Sequence, residues 1–441
     1  MNLDPANRRS FRSSPDVDAQ DRKPRPAAPY ERCPLIDRSL IVHMSPELEQ
    51  TPSRDLHNTI RVFVQLAHGF GAARWGWKWK RDEIIGLNER LPYGFFWAEE
   101  HGCLVEYSED RPEHAFAAVF RLGVRLMLGF DLVHAWNNRA GILAAQVVWT
   151  GTESQYLAVL LLLRCLRPRD RPRVVAQTVW LFDSWSQLSR LKRWLYATLI
   201  ADAAVLTVHS PEGLRVAQRL FPRQRSTFMP YGIAADRMAL PRRRAHRPIR
   251  VLSAGSDRHR DWVTLVTALR NWPEAELRIV ARQFPSGLPL GANISLIHPK
   301  SNEDYIALYS WADVVALALH PNLHGSGITI IEEATVLGVP VVATDAGGLR
   351  GYFSEEEITY VDVADADSMR RAILGIAHDE ANLQMVERAQ RRMVDSGLTS
   401  HQFARRHAEL SRHLLYGSCV SADKEARQLE HGARGQAVAG E

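Results

Sequence analysis

Short apolar runs alternate with amphipathic stretches of helical length along most of the chain. In the first half, runs at 39–44, 102–107, 130–136, 173–180 and 203–209 predict strands. Between them, apolar positions recur with helical spacing over 53–68, 113–128, 186–200 and 211–220. The stretch 141–166 is apolar on more than one face, which predicts a buried helix or a helix pair. The pattern breaks at Pro230, Tyr231 and Gly232 and in the run PRRRAHRP over 241–248, which reads as a linker. It then restarts, with strands expected at 249–254, 276–281, 294–298, 313–319, 339–344 and 358–363. Helices are expected at 262–271, 302–311, 366–378 and 380–396, and a last one near 400–416. Strands separated by helices are the signature of parallel α/β sheets. The chain therefore divides into a lead at 1–37, a doubly wound domain at 38–230, a linker at 231–248 and a second domain at 249–398. A helix at 399–417 is expected to pack back on the first domain, with a tail at 418–441.

Composition narrows this picture without changing it. The 441 residues are 46% hydrophobic and 24% charged, ordinary for a globular protein of two or three domains. The lead and the tail are rich in Arg, Asp, Pro, Ser, Gly and Gln and are expected to be disordered. Cys33, Cys103, Cys165 and Cys419 form no CxxC pair, so neither a disulfide framework nor a cysteine metal site is expected, and a reducing cytosol fits. The lead lacks the apolar core of a signal peptide. The longest apolar run, 156–163, is far short of the ~20 residues that span a bilayer. A soluble or peripheral protein is expected. The net charge of +5 suits phosphorylated ligands or an anionic membrane surface, and no nucleic-acid-binding motif accompanies it.

The richest stretch is HGSGITIIEEATVLGVPVVATDAGG over 324–348. A glycine-rich loop runs into a helix, and a buried strand follows at once. The free N–H groups and positive end of such a helix suit an anion such as a diphosphate. Glu333, one to two turns inside, could reach hydroxyls of the same ligand. The residues alone leave two readings open: a phosphorylated ligand, or one more loop–helix–strand turn of a sheet.

The same stretch resembles glycosyltransferases of the GT-B fold, above all glycosyltransferase family 4. Glu333, Ala334, Gly338, Pro340, Val341, Val342, Ala343, Thr344, Asp345, Gly347 and Gly348 fall without a gap in that family's pattern. The resemblance implies two Rossmann-like doubly wound domains facing a cleft. It further implies that Glu333 holds the ribose hydroxyls of a sugar nucleotide and that the amides of Gly327, Ile328 and Thr329 hold its diphosphate. His324, Gly325 and Ser326 join that donor loop, although Gly325 stands where the family usually has a second glutamate. In VLSAGSDRHRDWVTL, over 251–265, Gly255 matches a strand-end glycine, while Ser256 replaces the family's Arg. Arg258 and Arg260 are then the cations for the diphosphate, or part of a solvated basic turn.

Asp183, in WLFDSWSQ, follows a predicted strand and is the candidate general base for an acceptor hydroxyl, or a helix N-cap. The segment TPSRDLH, over 51–57, is weakly similar to bacterial exopolysaccharide glucuronosyltransferases. That makes Arg54, Asp55 and His57 acceptor-side candidates, or ordinary polar groups at a helix start. His134 would end the strand 130–136 facing the cleft, or be structural. Tryptophans and cations gather at 74–81 and 180–199, either as a headgroup-facing surface or as core with a solvated face.

Taken together, the resemblance implies transfer of a hexosyl or glucuronosyl unit from a UDP- or GDP-sugar, with no resident cofactor and no metal required. The implied acceptor is a saccharide or a lipid-linked oligosaccharide, and no nucleic acid is involved. Residence in the cytoplasm, peripheral on the inner face of the membrane, follows. The alternatives are a sugar-nucleotide epimerase of the same fold and a non-catalytic binding subunit.

Overall fold

The computed structural model describes residues 41–43, 59–241, 246–378 and 381–417. The lead at 1–37 and the tail at 418–441 lie outside them, as do 242–245 of the expected linker. In chain order the strands are β1 (Ile41–His43), β2 (Ile60–Gln65), β3 (Cys103–Tyr107), β4 (Val147–Thr150), β5 (Arg173–Thr178), β6 (Val205–Val208) and β7 (Ser226–Phe228). There follow β8 (Arg237–Ala239), β9 (Ile249–Ala254), β10 (Ala275–Val280), β11 (Ile294–Leu296), β12 (Val314–Leu317), β13 (Val341–Thr344) and β14 (Thr359–Val361).

Twelve of these form two six-stranded sheets, ordered β3-β2-β4-β5-β6-β7 and β11-β10-β9-β12-β13-β14. Every pairing in both is parallel. The reason lies in the strands themselves. VVWT of β4, VVAL of β12 and VVAT of β13 are buried at every position, as strands covered by helices on both faces must be. In both sheets the crossovers reverse direction beside the first strand, between β2 and β4 and between β9 and β12. Loops at the carboxyl ends diverge at such a point and leave a crevice. The loops after β9 and β12 therefore flank one crevice, and they carry Gly255–Arg260 and His324–Gly327.

Helix starts are chemically marked. Ser301 and Asp304 form a capping box at the helix Asn302–Trp311, and Ser210 caps Pro211–Leu220 with proline at its first turn. The helix Ser400–Tyr416 lies on the first sheet, where Trp149 Nε1 donates to Ser411 Oγ at 2.8 Å and Phe95 meets both Phe403 and His407.

Several expectations in the first half are overturned. Residues 60–65, placed in a helix at 53–68, are the inner strand β2, because a strand buried on both faces loses the alternation that would distinguish it. Residues 130–136 are not a strand. Asp131 accepts from the His134 amide at 3.0 Å and starts the short helix Leu132–Asn137. The apolar stretch 141–166 hides β4 between the helices Arg139–Ala144 and Glu153–Leu166. The run at 39–44 is described only as β1, which pairs antiparallel with β8 outside both large sheets.

Candidate active site

Arg260 is the centre of the crevice. Its guanidinium is buried, yet its Nε and Nη1 have no hydrogen-bond partner among the described residues. Glycine on either side makes room for it. A Cβ on Gly255 would stand 2.3 Å from Arg260 Nη2, and one on Gly327 would stand 3.1 Å from Nη1. Gly255 and Gly327 also have φ of 132° and 92°, where side chains are strained. Burial pulls the Arg260 pKa down, against the upward pull of Asp257 and Glu333. Arginine nonetheless stays charged in proteins, so a cation is held here without a matched partner. The neighbouring Ser326 Oγ is likewise buried and unpartnered. Gly327 opens the nine-residue helix Ile328–Val336 with no side-chain cap, so the turn presents a positive helix end beside the guanidinium.

Glu333 lies on that helix with its carboxylate buried and already satisfied. Tyr309 Oη donates to it at 2.7 Å, Tyr305 Oη at 2.8 Å and the Leu87 amide at 3.1 Å. Burial raises its pKa, and these donors oppose the rise. The two tyrosines stand four residues apart on the helix Asn302–Trp311, one turn, so both reach one carboxylate. Leu87 comes from the first half of the chain. Its segment is tied down further by Gly86 N to Asn302 Oδ1 at 2.8 Å and by Glu303 N to Asp82 Oδ2 at 3.0 Å. Gly86 has φ of 106°, and a Cβ on it would meet Glu333 Oε1 at 2.5 Å. Residues 82–87 thus form a strap seated on the carboxylate to which the family resemblance gives the ribose. The adjacent Glu332 is buried with neither oxygen partnered among the described residues, and burial, with the neighbouring Glu333, raises its pKa.

His324 spans the crevice. Its Nδ1 lies 2.7 Å from Asp183 Oδ2, and its Nε2 lies 2.8 Å from Asp257 Oδ2. Asp183, from the short helix Leu181–Ser184, also accepts from the Leu323 amide at 2.8 Å. His259 N and Nδ1 approach Asp257 Oδ1 at 2.8 and 3.1 Å. Asp257, His259 and His324 place one ligand atom each within 4.8 Å of the others. Both ring nitrogens of His324 are taken by carboxylates, so protons occupy the bridge where an ion would need a lone pair. Burial would lower the His324 pKa, but hydrogen bonds to Asp183 and Asp257 raise it to about 9. Burial pushes Asp257 up, yet the hydrogen bond from His324 leaves it well below the usual carboxylate range.

The signs define a pH window. A histidine raised on folding contributes stability below its ordinary value near ~6.5 and loses it as pH climbs through about 9. A depressed carboxylate loses its contribution as pH falls below about 4. Melting curves of wild type and His324→Gln are therefore expected to differ by on the order of 3 kcal/mol near pH 6. The gap should close by pH ~10. A gap of equal size at both ends would show that no charged bridge exists.

The remaining sequence candidates scatter. Arg258 is exposed and donates to Ser184 Oγ at 2.8 Å. Gly325 is buried with φ of 71°, a conformation that disfavours the glutamate of the family pattern. Ile328 is buried and Thr329 exposed at the helix start. His134 is corrected from a cleft-facing strand end to a buried helical residue, stacked edge-on to His68, with its Nε2 unpartnered. Arg54, Asp55 and His57 lie outside the described residues. Sequence reasoning missed Tyr305, Tyr309, Asp257, His259 and the strap. Only the tyrosine pair carried a signal, its one-turn spacing in a helix that was correctly placed.

Comparison with known proteins agrees with this geometry. Residues 286–393 match the family model for glycosyl transferases group 1, a span that includes the donor loop, both tyrosines and Glu333. No curated protein sequence matches. Sucrose-phosphate synthase from Thermosynechococcus elongatus superposes with a TM-score of 0.62 at 17% identity, over 81% of this chain and 100% of that one. The Anabaena protein HepE in complex with UDP-glucose gives 0.53 at 13%, over 79% and 98%. A glycosyltransferase from Rickettsia africae gives 0.50 at 14%, over 82% and 100%. At such identities the likeness establishes architecture: the chain has the GT-B fold. Within its second domain, residues 286–393 are similar to group 1 glycosyl transferases.

Proposed function

We propose that the chain transfers a sugar from a nucleoside diphosphate to a hydroxyl acceptor. The observation that carries this is the unpaired, buried guanidinium of Arg260 between Gly255 and Gly327. A buried cation without a partner is costly, and an anion at the helix start would satisfy it. In transfer, the bond from the anomeric carbon to the β-phosphate oxygen breaks and the acceptor oxygen takes its place. Arg260 and the helix start stabilise the departing diphosphate, so no metal is needed for that charge. Glu333 receives the ribose hydroxyls once Leu87 withdraws. Asp183 is the group to accept the acceptor's proton, and for that its contact with His324 must open.

HepE is a UDP-glucose complex, which makes uridine donors the first to try. Hexosyl and glucuronosyl donors are both within this reading. The acceptor we favour is a lipid-linked oligosaccharide in bacterial polysaccharide assembly, met at the inner face of the membrane. The short similarity over 51–57 supports it, and no helix among the described residues is long and apolar enough to cross a bilayer. The cationic tryptophan stretch gives less support than its sequence suggests. Trp75 and Trp79 are half-buried, and only Trp77 is exposed, beneath the Arg81 guanidinium.

The test is a panel of UDP- and GDP-sugars incubated with protein and a lipid-saccharide extract, read by chromatography of nucleotide and sugar. Nucleoside diphosphate released in step with a glycosylated lipid is expected. An epimerised sugar nucleotide would select the epimerase instead. Tight binding with no turnover of any donor would select a non-catalytic subunit.

A further inference from the structure

The helix Ala115–Leu128 sits inside out. Its one buried residue is Arg121, whose Nη1 donates to Asp131 Oδ2 at 2.8 Å and whose Nε donates to Glu113 Oε1 at 2.9 Å. Those two ion pairs fix the roll of the helix. The face turned outward carries Phe116, Val119, Phe120, Leu122, Leu126 and Met127, from 52% to 88% exposed. Surface helices ordinarily bury the apolar stripe and expose the charges. Here the arrangement is reversed, so the exposed face calls for an apolar surrounding that the described residues do not provide.

The face continues onto a second helix, Arg190–Ile200. Tyr196 Oη donates to Leu128 O at 2.8 Å and Lys192 Nζ to Leu126 O at 3.5 Å, which sets the two helices side by side. Leu191 and Trp194 are 72% and 64% exposed there. Arg125, Arg190, Lys192 and Arg193 accompany them, and among the described residues none of the four is in an ion pair.

We infer that this two-helix face docks the chain on an anionic phospholipid bilayer. Apolar side chains sink below the headgroups, the indole lies at the boundary, and the unpaired cations meet lipid phosphates. The helix Ala115–Leu128 has 14 residues, too few to span a bilayer, so it lies in the plane of the interface. Charge argues against a second copy as the occupant. A symmetric dimer through this face would set its cations against their own kind. The inference places the membrane contact that a lipid-linked acceptor calls for, and so extends the reading above. Its test needs neither donor nor acceptor, so either can fail alone.

The experiment is sedimentation of the purified full chain with vesicles of phosphatidylcholine, with and without phosphatidylglycerol. Wild type is expected to pellet with the anionic vesicles and to be released by salt. The triple variant Phe116→Ser, Phe120→Ser, Leu126→Ser should bind at least tenfold more weakly, while melting like wild type because all three positions are exposed. Each of Arg190→Gln, Lys192→Gln and Arg193→Gln should cost about fivefold. Quenching of tryptophan by brominated lipid, lost in Trp194→Phe, checks the same contact without altering the first helix. Wild type left in the supernatant, or a triple variant that pellets equally well, overturns the inference. So does light scattering that shows a wild-type dimer broken by the same three changes, which would give the face to a second copy.

Discussion

Replacing Arg260 with methionine is expected to raise the melting temperature of the ligand-free protein and to abolish its stabilisation by nucleoside diphosphates. The two effects have one cause. The guanidinium is buried and two of its nitrogens have no partner among the described residues, so the fold by itself leaves this cation uncompensated. Even whole buried ion pairs can be replaced by apolar residues of similar volume with no loss or a gain of about 1–4 kcal/mol, and Arg260 is in no ion pair among the described residues. The same exchange removes the cation that meets the diphosphate. Wild type at a ligand concentration of 100 Kd should gain about 2.7 kcal/mol, and the variant should gain almost nothing. A purely structural arginine would behave in the opposite way, with its loss lowering the melting temperature. Thermal melts of both proteins with and without UDP separate the two cases. A variant that melts lower than wild type and still responds to UDP would contradict the assignment.

The second large effect concerns Glu333 and the strap. Glu333→Gln keeps the volume of the side chain but leaves it one oxygen for three donors: Tyr305, Tyr309 and the Leu87 amide. Loss of a hydrogen bond to a charged group costs about 1.5–3 kcal/mol, partly offset because the two hydroxyls lie 3.0 Å apart and can bond each other. Residues 82–87 should then exchange their amide hydrogens faster, and nucleotide affinity should fall by about tenfold to a hundredfold. In wild type, ribose hydroxyls compete with the Leu87 amide for the same carboxylate. Saturating UDP is therefore expected to accelerate exchange over 82–87 as the strap lifts. Slower exchange there would mean that the strap closes over the nucleotide instead of giving way to it.

How much of this could be read from sequence differs between the halves. In the second half the strands and helices fall nearly where the periodicity places them, and some of the helices carry a side-chain start signal. Ser301 with Asp304 and Asp261 with Thr264 mark two of them. In the first half the central strands β2 and β4 were hidden. Mostly buried, IRVFVQ and VVWT lack the strict alternation of a half-buried strand, and local pattern cannot distinguish them from a buried helix. The reversed helix Ala115–Leu128 was placed correctly, but its apolar stripe gave no hint that it faces outward. That depends on Arg121 finding Glu113 and Asp131, a tertiary fact.

The site divides in the same way. Gly255, Arg260 and the loop into Glu333 were singled out through the family resemblance, and the structure brings Gly255, Arg260 and Gly327 together. The Asp183–His324–Asp257 bridge was not, since its members come from positions 183, 257 and 324 and meet only when the two sheets face each other. The strap was invisible for a related reason. It acts through backbone amides, and any sequence able to place Gly86 beside Glu333 would supply them.

Titration calorimetry with uridine, UMP and UDP, repeated for the guanosine series, tests the donor site most directly. The account predicts that in at least one series affinity rises by tenfold or more from mono- to diphosphate, and that Arg260→Met removes this step. Equal affinity for mono- and diphosphates, or no binding in either series, would contradict it.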